Sequence, residues 1–152
     1  MLKLFKKEKT MAVKPIPDNY PRVSPYLIVS DVGKTIDFLK KVFNAKEIER
    51  MTLKDGTVNH AEVKIGDSVI MMGKGGPQYP PMPAMLYIYV EDTDAAYNAA
   101  INAGAESVMK PVNQFYGDRN AGVKDSDGIQ WWIASHVEDV SREEMQKRNE
   151  NR

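Results

Sequence analysis

The sequence contains no cysteine. That excludes disulfides, thiolate nucleophiles and any zinc or iron–sulfur centre built on cysteine, and it fits a reducing compartment, so a cytoplasmic location is expected. An excess of either charge is also missing, since 21 basic and 21 acidic residues give a formal net charge of +0. Nucleic acid, which binds clustered positive charge, is therefore not an expected partner. No stretch approaches the ~18 consecutive apolar residues of a membrane span. The N-terminal MLKLFKKEKT has no apolar run of signal-peptide length. A membrane is not an expected partner either, and the lysines there read as a frayed tail.

What is present is a pattern used twice. Tyr26-Leu27-Ile28-Val29-Ser30-Asp31 is echoed by Tyr87-Ile88-Tyr89-Val90-Glu91-Asp92, and Asn59-His60-Ala61-Glu62-Val63-Lys64 by Arg119-Asn120-Ala121-Gly122-Val123-Lys124. At 152 residues the chain is long enough to bury about 70% of its unfolded surface as one domain. Residues 1–20 read as a disordered or extended tail, and Pro15, Pro17 and Pro21 keep the chain extended as it enters the first strand. A single domain is expected over 21–138. It consists of module 1 (about 21–73), a Gly/Pro-rich linker (74–84) and module 2 (about 85–138). Residues 139–152 read as a charged helix or tail opened by the capping box Ser141-x-x-Glu144.

Within module 1 the pattern predicts a strand over 22–29, a helix over 31–43 capped by Ser30-Asp31, and strands over 45–53, 57–65 and 68–72. Module 2 repeats this. It has a strand over 85–90, a helix from the Asp92 cap to Gly104, a short strand over 106–110 and a loop over 111–118. Strands over 119–124 and 129–135 follow, joined by the Asp125–Gly128 turn. Each half is βαβββ, and the fold class is α+β, with the modules forming a curved mixed sheet around a central cleft. One helix covers only one sheet face. The other face must meet its copy, a partner chain or a ligand.

The doubled βαβββ with its strand and Asp-capped helix resembles the vicinal oxygen chelate superfamily of glyoxalases, bleomycin-resistance proteins and extradiol dioxygenases, over roughly Pro21–Val137. The segments Pro25–Asp31, His60–Met72, Gln114–Arg119 and Ser135–Met145 are similar to its PhnB-like branch. The resemblance implies a homodimer, because clefts in this superfamily are often completed by a second chain. It also implies a metal held at four positions, which fall here on Ser24, Met71, Met85 and Trp132. Thioether and indole do not hold a hard divalent cation. The expectation is therefore no metal and no cofactor.

Strand alternation sorts the remaining side chains. Leu27, Val29, Ala61, Val63, Ile65, Leu86, Ile88, Val90, Ala121 and Val123 fall on one face and should pack against the helices. The other face carries Tyr26, His60, Glu62, Met71, Met85, Tyr87, Tyr89, Asn120 and Trp132. Trp131 points to the helix side. An aromatic, Met-rich face with few polar groups is the composition of a pocket for a planar or apolar molecule, or of a cleft that closes on itself. The candidate ligand-binding residues are Tyr26, Met71, Met85, Tyr87, Tyr89, Gln114, Tyr116, Arg119 and Trp132. His60 with Glu62 on the same face is either a hydrogen-bonded pair or an oriented general base. Asp118-Arg119 is either an internal ion pair, or Arg119 clamps a substrate carboxylate or phosphate. His136 has no clustered partner in the sequence and reads as structural or exposed. Two functions follow. One is a metal-independent small-molecule binding protein. The other is a lyase or isomerase, metal-free or with a displaced metal, using His60 as base. A vestigial cleft is the third reading.

Overall fold

An aspartate turns the chain from strand into helix at the start of each module. Asp31 Oδ1 accepts the Lys34 amide at 3.0 Å, and Asp92 Oδ1 accepts the Ala95 amide at 3.0 Å. Both satisfy amides that the first helical turn leaves without partners. The helices they open are α1 (Val32–Phe43) and α2 (Thr93–Asn102). In α1 the spacing of Val32, Ile36, Leu39 and Phe43 gives one apolar face, and all four are buried. Asn44, at φ 54°, ends α1. Gly104, at φ 98°, follows α2, as expected for a glycine just past a helix end.

These elements belong to a computed structural model that describes residues 12–152. The lysine-rich tail expected at the N-terminus lies largely outside the described residues. Module 1 consists of β1 (Tyr26–Val29), α1, β2 (Lys46–Thr52), β3 (Val58–Ile65) and β4 (Ser68–Lys74). Module 2 consists of β5 (Met85–Tyr89), α2, β6 (Glu106–Asn113), β7 (Asp118–Lys124) and β8 (Gln130–His136). A terminal helix, α3 (Arg142–Glu150), follows its predicted Ser141 cap. The α+β class and the tandem βαβββ modules are as expected. The curved sheet is realised as two four-stranded sheets, ordered β1-β4-β3-β2 and β5-β8-β7-β6. In each, the first strand runs parallel to the fourth and lies at the edge.

Three boundaries differ from the expected ones, each for a local reason. β1 starts at Tyr26 rather than Arg22, because Pro21 and Pro25 have no amide to give a ladder. β4 runs two residues past its expected end at Met72, to Lys74. β6 continues to Asn113 through Pro111, with an irregular register between Met109 and Val112. It can do so because it is an edge strand, where a missing donor costs little. The loop expected over 111–118 shrinks to 114–117.

The hydrophobic core spans both modules. Trp131 of β8 is fully buried, and its ring lies 5.9 Å, centroid to centroid, from both Phe38 and Phe43 of α1. Its indole N–H donates to Asp125 Oδ2 at 3.0 Å, and Asp125 Oδ1 accepts the Asp127 and Ile129 amides of the turn before β8. Module 2 thus grips the helix of module 1 while the turn aims the tryptophan. The neighbouring Trp132 points to the opposite face. Trp131→Ala is expected to cost about 3–5 kcal/mol in urea denaturation, as for a large aromatic lost from a packed core. Trp132→Ala should cost clearly less. Equal losses would contradict this division of the two faces.

Candidate functional site

With α1 and α2 packed on one face of the sheets, the other faces stand open. Tyr26 is 52% exposed, Met85 66%, Tyr87 44% and Tyr89 63%. The aromatic residues expected on that face therefore do not fill a collapsed core in this chain. Nor do they line one cleft. Among the described residues, no hydrogen bond or ring contact joins a candidate of module 1 to a candidate of module 2. The face carries two half-sites.

The first is a hydrogen-bonded line across module 1. The Tyr26 ring crosses β4 at Gly73, where an added Cβ would sit 2.8 Å from the phenol oxygen. That crossing brings Tyr26 Oη to 3.1 Å from His60 Nδ1. His60 Nε2 lies 3.1 Å from Glu62 Oε1, and the Tyr20 hydroxyl donates to Glu62 Oε2. If Glu62 accepts from Nε2–H, the free lone pair of the imidazole sits on Nδ1, under the Tyr26 hydroxyl. Any basic role of His60 therefore runs through Tyr26. The His60–Glu62 pair was legible in the sequence. Tyr20, lying before the first strand, was not.

The second half-site surrounds a buried carboxylate. Asp118, 4% exposed, accepts from Tyr87 Oη and Tyr89 Oη on Oδ2, each at 2.8 Å, and from His136 Nδ1 on Oδ1 at 3.0 Å. Burial alone would raise its pKa, but the donations from His136, Tyr89 and Tyr87 outweigh it and hold the carboxyl below its ordinary range. His136 also meets Asp139 Oδ1 at 2.8 Å, and its hydrogen bonds to Asp118 and Asp139 raise its pKa. Burial raises the Tyr87 pKa, and the bond to Asp118 raises that of Tyr89, so both phenols remain proton donors. Beside them Asn120, 2% exposed, donates to Tyr116 Oη at 2.7 Å and accepts from Gln114 Nε2 at 2.9 Å. Trp132 covers Gly122 and donates to Gln130. The structure thus gathers Tyr87, Tyr89, Gln114, Tyr116 and Trp132 in module 2, with Met85 on the same strand face.

Arg119 is not among them. It lies on the α2 side of β7, where its guanidinium makes two bonds to Asp94, at 2.6 and 2.8 Å. The expected Asp118–Arg119 ion pair is therefore replaced by Asp118–His136 and Arg119–Asp94, because adjacent strand residues point to opposite faces. The reading of His136 as unpartnered is corrected too. Asp118 is its direct partner in the β7–β8 ladder, which counting back from the Asp125–Gly128 turn would have found.

The loop holding Gln114 and Tyr116 is pinned from behind. Gly117, at φ 99°, passes so close to Glu138 that an added Cβ would lie 2.2 Å from its carbonyl oxygen. Arg148 of α3 donates to Phe115 O at 3.1 Å and pairs with Glu138 at 2.8 Å. A groove of about 1100 Å³ follows β5, lined by Tyr87 and Tyr89 together with Phe43, Val69, Ile70 and Leu86.

The four positions at which the resemblance implies a metal do not fit one. The ladder sets Tyr26 opposite Met71 and Tyr87 opposite Trp132, so the modules agree in register. Met71 and Trp132 offer only a thioether and an indole. Among the described residues, no group of three or more His, Asp or Glu side chains is arranged to hold a metal ion.

The model of the Glyoxalase/Bleomycin resistance protein/Dioxygenase superfamily matches residues 21–133. An uncharacterized protein of Mycobacterium tuberculosis (strain ATCC 25618 / H37Rv) is 34% identical over 137 residues, covering 83% of this chain and 81% of its own length. Among solved structures, TioX from Micromonospora sp. ML1 aligns with a TM-score of 0.66 at 24% identity, over 77% of this chain and 99% of that one. The genomically encoded fosfomycin resistance protein FosX from Listeria monocytogenes, complexed with Mn(II) and sulfate ion, aligns with a TM-score of 0.60 at 23% identity, over 85% of this chain and 97% of that one. The chain belongs to the Glyoxalase/Bleomycin resistance protein/Dioxygenase superfamily.

The Asp118–His136 pair predicts a pH window. His136, its pKa raised, contributes fully below its ordinary value of 6.5, and that contribution is lost as pH rises through the raised value. Asp118, its pKa lowered, contributes above its ordinary value of 3.8, and that contribution is lost as pH falls through the lowered value. An NMR titration of His136 should give a midpoint above 6.5 that drops in Asp118→Asn. A wild-type midpoint at or below 6.5 would contradict the pair.

Proposed function

We propose that this superfamily member binds a small, planar or apolar organic molecule on the open aromatic face, without the metal that its relatives' chemistry employs. The observation that carries this is the state of Tyr87 and Tyr89. Their rings are exposed, yet both hydroxyls are fixed to a buried carboxylate. Exposed rings held rigid form a stacking platform that loses little side-chain freedom on binding. Met85 and Trp132 extend the apolar surface beside them, Tyr26 and Met71 offer a second one on module 1, and Gln114 and Tyr116 offer polar contacts next to Tyr87. The motifs from Pro25 to Met145 support membership of the PhnB-like branch, and the cysteine-free composition supports a cytoplasmic location. Among the described residues, no helix is long and apolar enough to cross a membrane.

The working form is a homodimer on this proposal. The two half-sites lie on separate sheets, and the free edge of β5 offers unpaired backbone groups to a second copy. Sedimentation velocity should give a dimer at micromolar concentration. A monomer throughout would count against that part.

A second reading, a metal-independent lyase or isomerase, is favoured by the line Tyr20–Glu62–His60–Tyr26. In that case His60→Ala abolishes turnover, whereas under the binding reading it leaves ligand affinity within a few fold. The main test is a thermal-shift and tryptophan-quenching screen of planar aromatic compounds on the full chain, with elemental analysis of the same sample. Any hit should weaken by at least about 10-fold in Tyr87→Ala/Tyr89→Ala, given about 0.5–1.5 kcal/mol per aromatic contact beyond area burial. Undiminished binding in that variant would refute the platform. One tightly held divalent ion per chain would move the enzyme reading to first place.

A further inference from the structure

We infer that the half-site of module 2 selects an organic cation, an alkylated or quaternary ammonium group carried on an apolar or aromatic body. The inference rests on the binding function proposed above and adds the charge of its ligand. Tyr87 and Tyr89 meet edge to face, with ring centroids 5.4 Å apart and planes at 69°. They form two walls of a corner. Trp132 stands beside Tyr87 in the β5–β8 ladder and adds a third aromatic surface. Ring faces attract cations through their quadrupoles when the charge lies within about 6 Å of the centroid. Both phenols donate to the same carboxylate oxygen of Asp118. Each such bond shifts electron density from the hydroxyl into its ring and makes the exposed face more negative.

The charges around the corner point the same way. Among the described residues, His136 is the one basic group that pairs with Asp118, and it is bracketed by Asp118 and Asp139. With all three ionised, the trio carries two negative charges and one positive. Among the described residues, no lysine or arginine hydrogen-bonds to or pairs with Tyr87, Tyr89, Asp118 or His136. Arg119, the nearest in sequence, is turned to the helix side and held by Asp94. Lys124, at the far end of β7, lies 3.9 Å from Glu106. An anionic ligand would meet an unfavourable field here, and a neutral one would leave the polarised ring faces unused.

The test uses the full chain and three probes of one shape class: phenyltrimethylammonium, its neutral isostere tert-butylbenzene, and the anion benzenesulfonate. Calorimetry or tryptophan quenching should show phenyltrimethylammonium at least 10-fold tighter than tert-butylbenzene, with benzenesulfonate weakest. Asp118→Asn should reduce that preference, read as the ratio of the phenyltrimethylammonium affinity to the tert-butylbenzene affinity. Should Asp118→Asn fail to fold, Tyr87→Phe/Tyr89→Phe keeps both rings and removes the two donated bonds, and it should narrow the preference in the same way. Equal binding of the cation and its neutral isostere would overturn the charge selection and leave the aromatic platform standing. Tighter binding of benzenesulfonate would overturn the charge selection as well. Binding of none of the three would overturn both the selection and the platform.

Discussion

The packing of Trp131 between Phe38 and Phe43 sets the arrangement of everything else. A βαβββ module has one helix and therefore covers one face of its sheet. Two such modules can bury their helices against each other or their sheet faces against each other. Here a tryptophan from the second sheet enters the helix layer of the first, and the helices α1 and α2 are brought into contact. Burying an indole and two phenyl rings removes several hundred square ångströms of apolar surface from water. Once that is done, strand alternation leaves no choice for the neighbours. Trp132, Tyr87, Tyr89 and Met85 must look away from the core. The open aromatic face is the geometric consequence of the closed one.

The second constraint is electrostatic. Asp118 lies at the start of β7 with almost no access to water, and a buried carboxylate is costly unless donors surround it. Three side chains from two strands supply them. Tyr87 and Tyr89 come from β5, and His136 comes from the end of β8. The same segment is backed by Gly117 against Glu138 and by Arg148 on the Phe115 carbonyl. The carboxylate thus ties the edge strand to the third and fourth strands, and Arg148 adds the terminal helix. Asp118 fixes both exposed tyrosines by their hydroxyls, the feature on which the proposed binding function rests.

Elements with a local cause were legible in the sequence. The Asp31, Asp92 and Ser141 caps, the glycine after α2, the hairpin turns and the split between Trp131 and Trp132 depend on residues a few positions apart. The partners of Asp118 were not, because they lie 18 to 31 positions away and meet only through strand pairing. The expectation for Arg119 shows a different failure. Its neighbours in the chain suggested Asp118 as partner, although alternation already puts the two on opposite faces. Asp94, 25 residues away on α2, could not be identified without knowing how the helix crosses the sheet.

The internal repeat also explains why the half-sites differ in chemistry. In both modules a tyrosine of the first strand reaches across the fourth strand to the third. Tyr26 does so over Gly73 to His60, and Tyr87 reaches Asp118 and Asn120. The architecture is shared, while the residues at the end of the reach are not. In module 1 the tyrosine ends on an imidazole backed by Glu62, a line that can pass a proton. In module 2 it ends on a carboxylate whose proton donors are all committed, an arrangement that fixes charge instead. A duplicated fold has thus kept one geometry and placed a hydrogen-bonded line on one sheet and a fixed negative centre on the other. The ligand surface proposed above lies on the second, because there two exposed rings are fixed to one buried carboxylate.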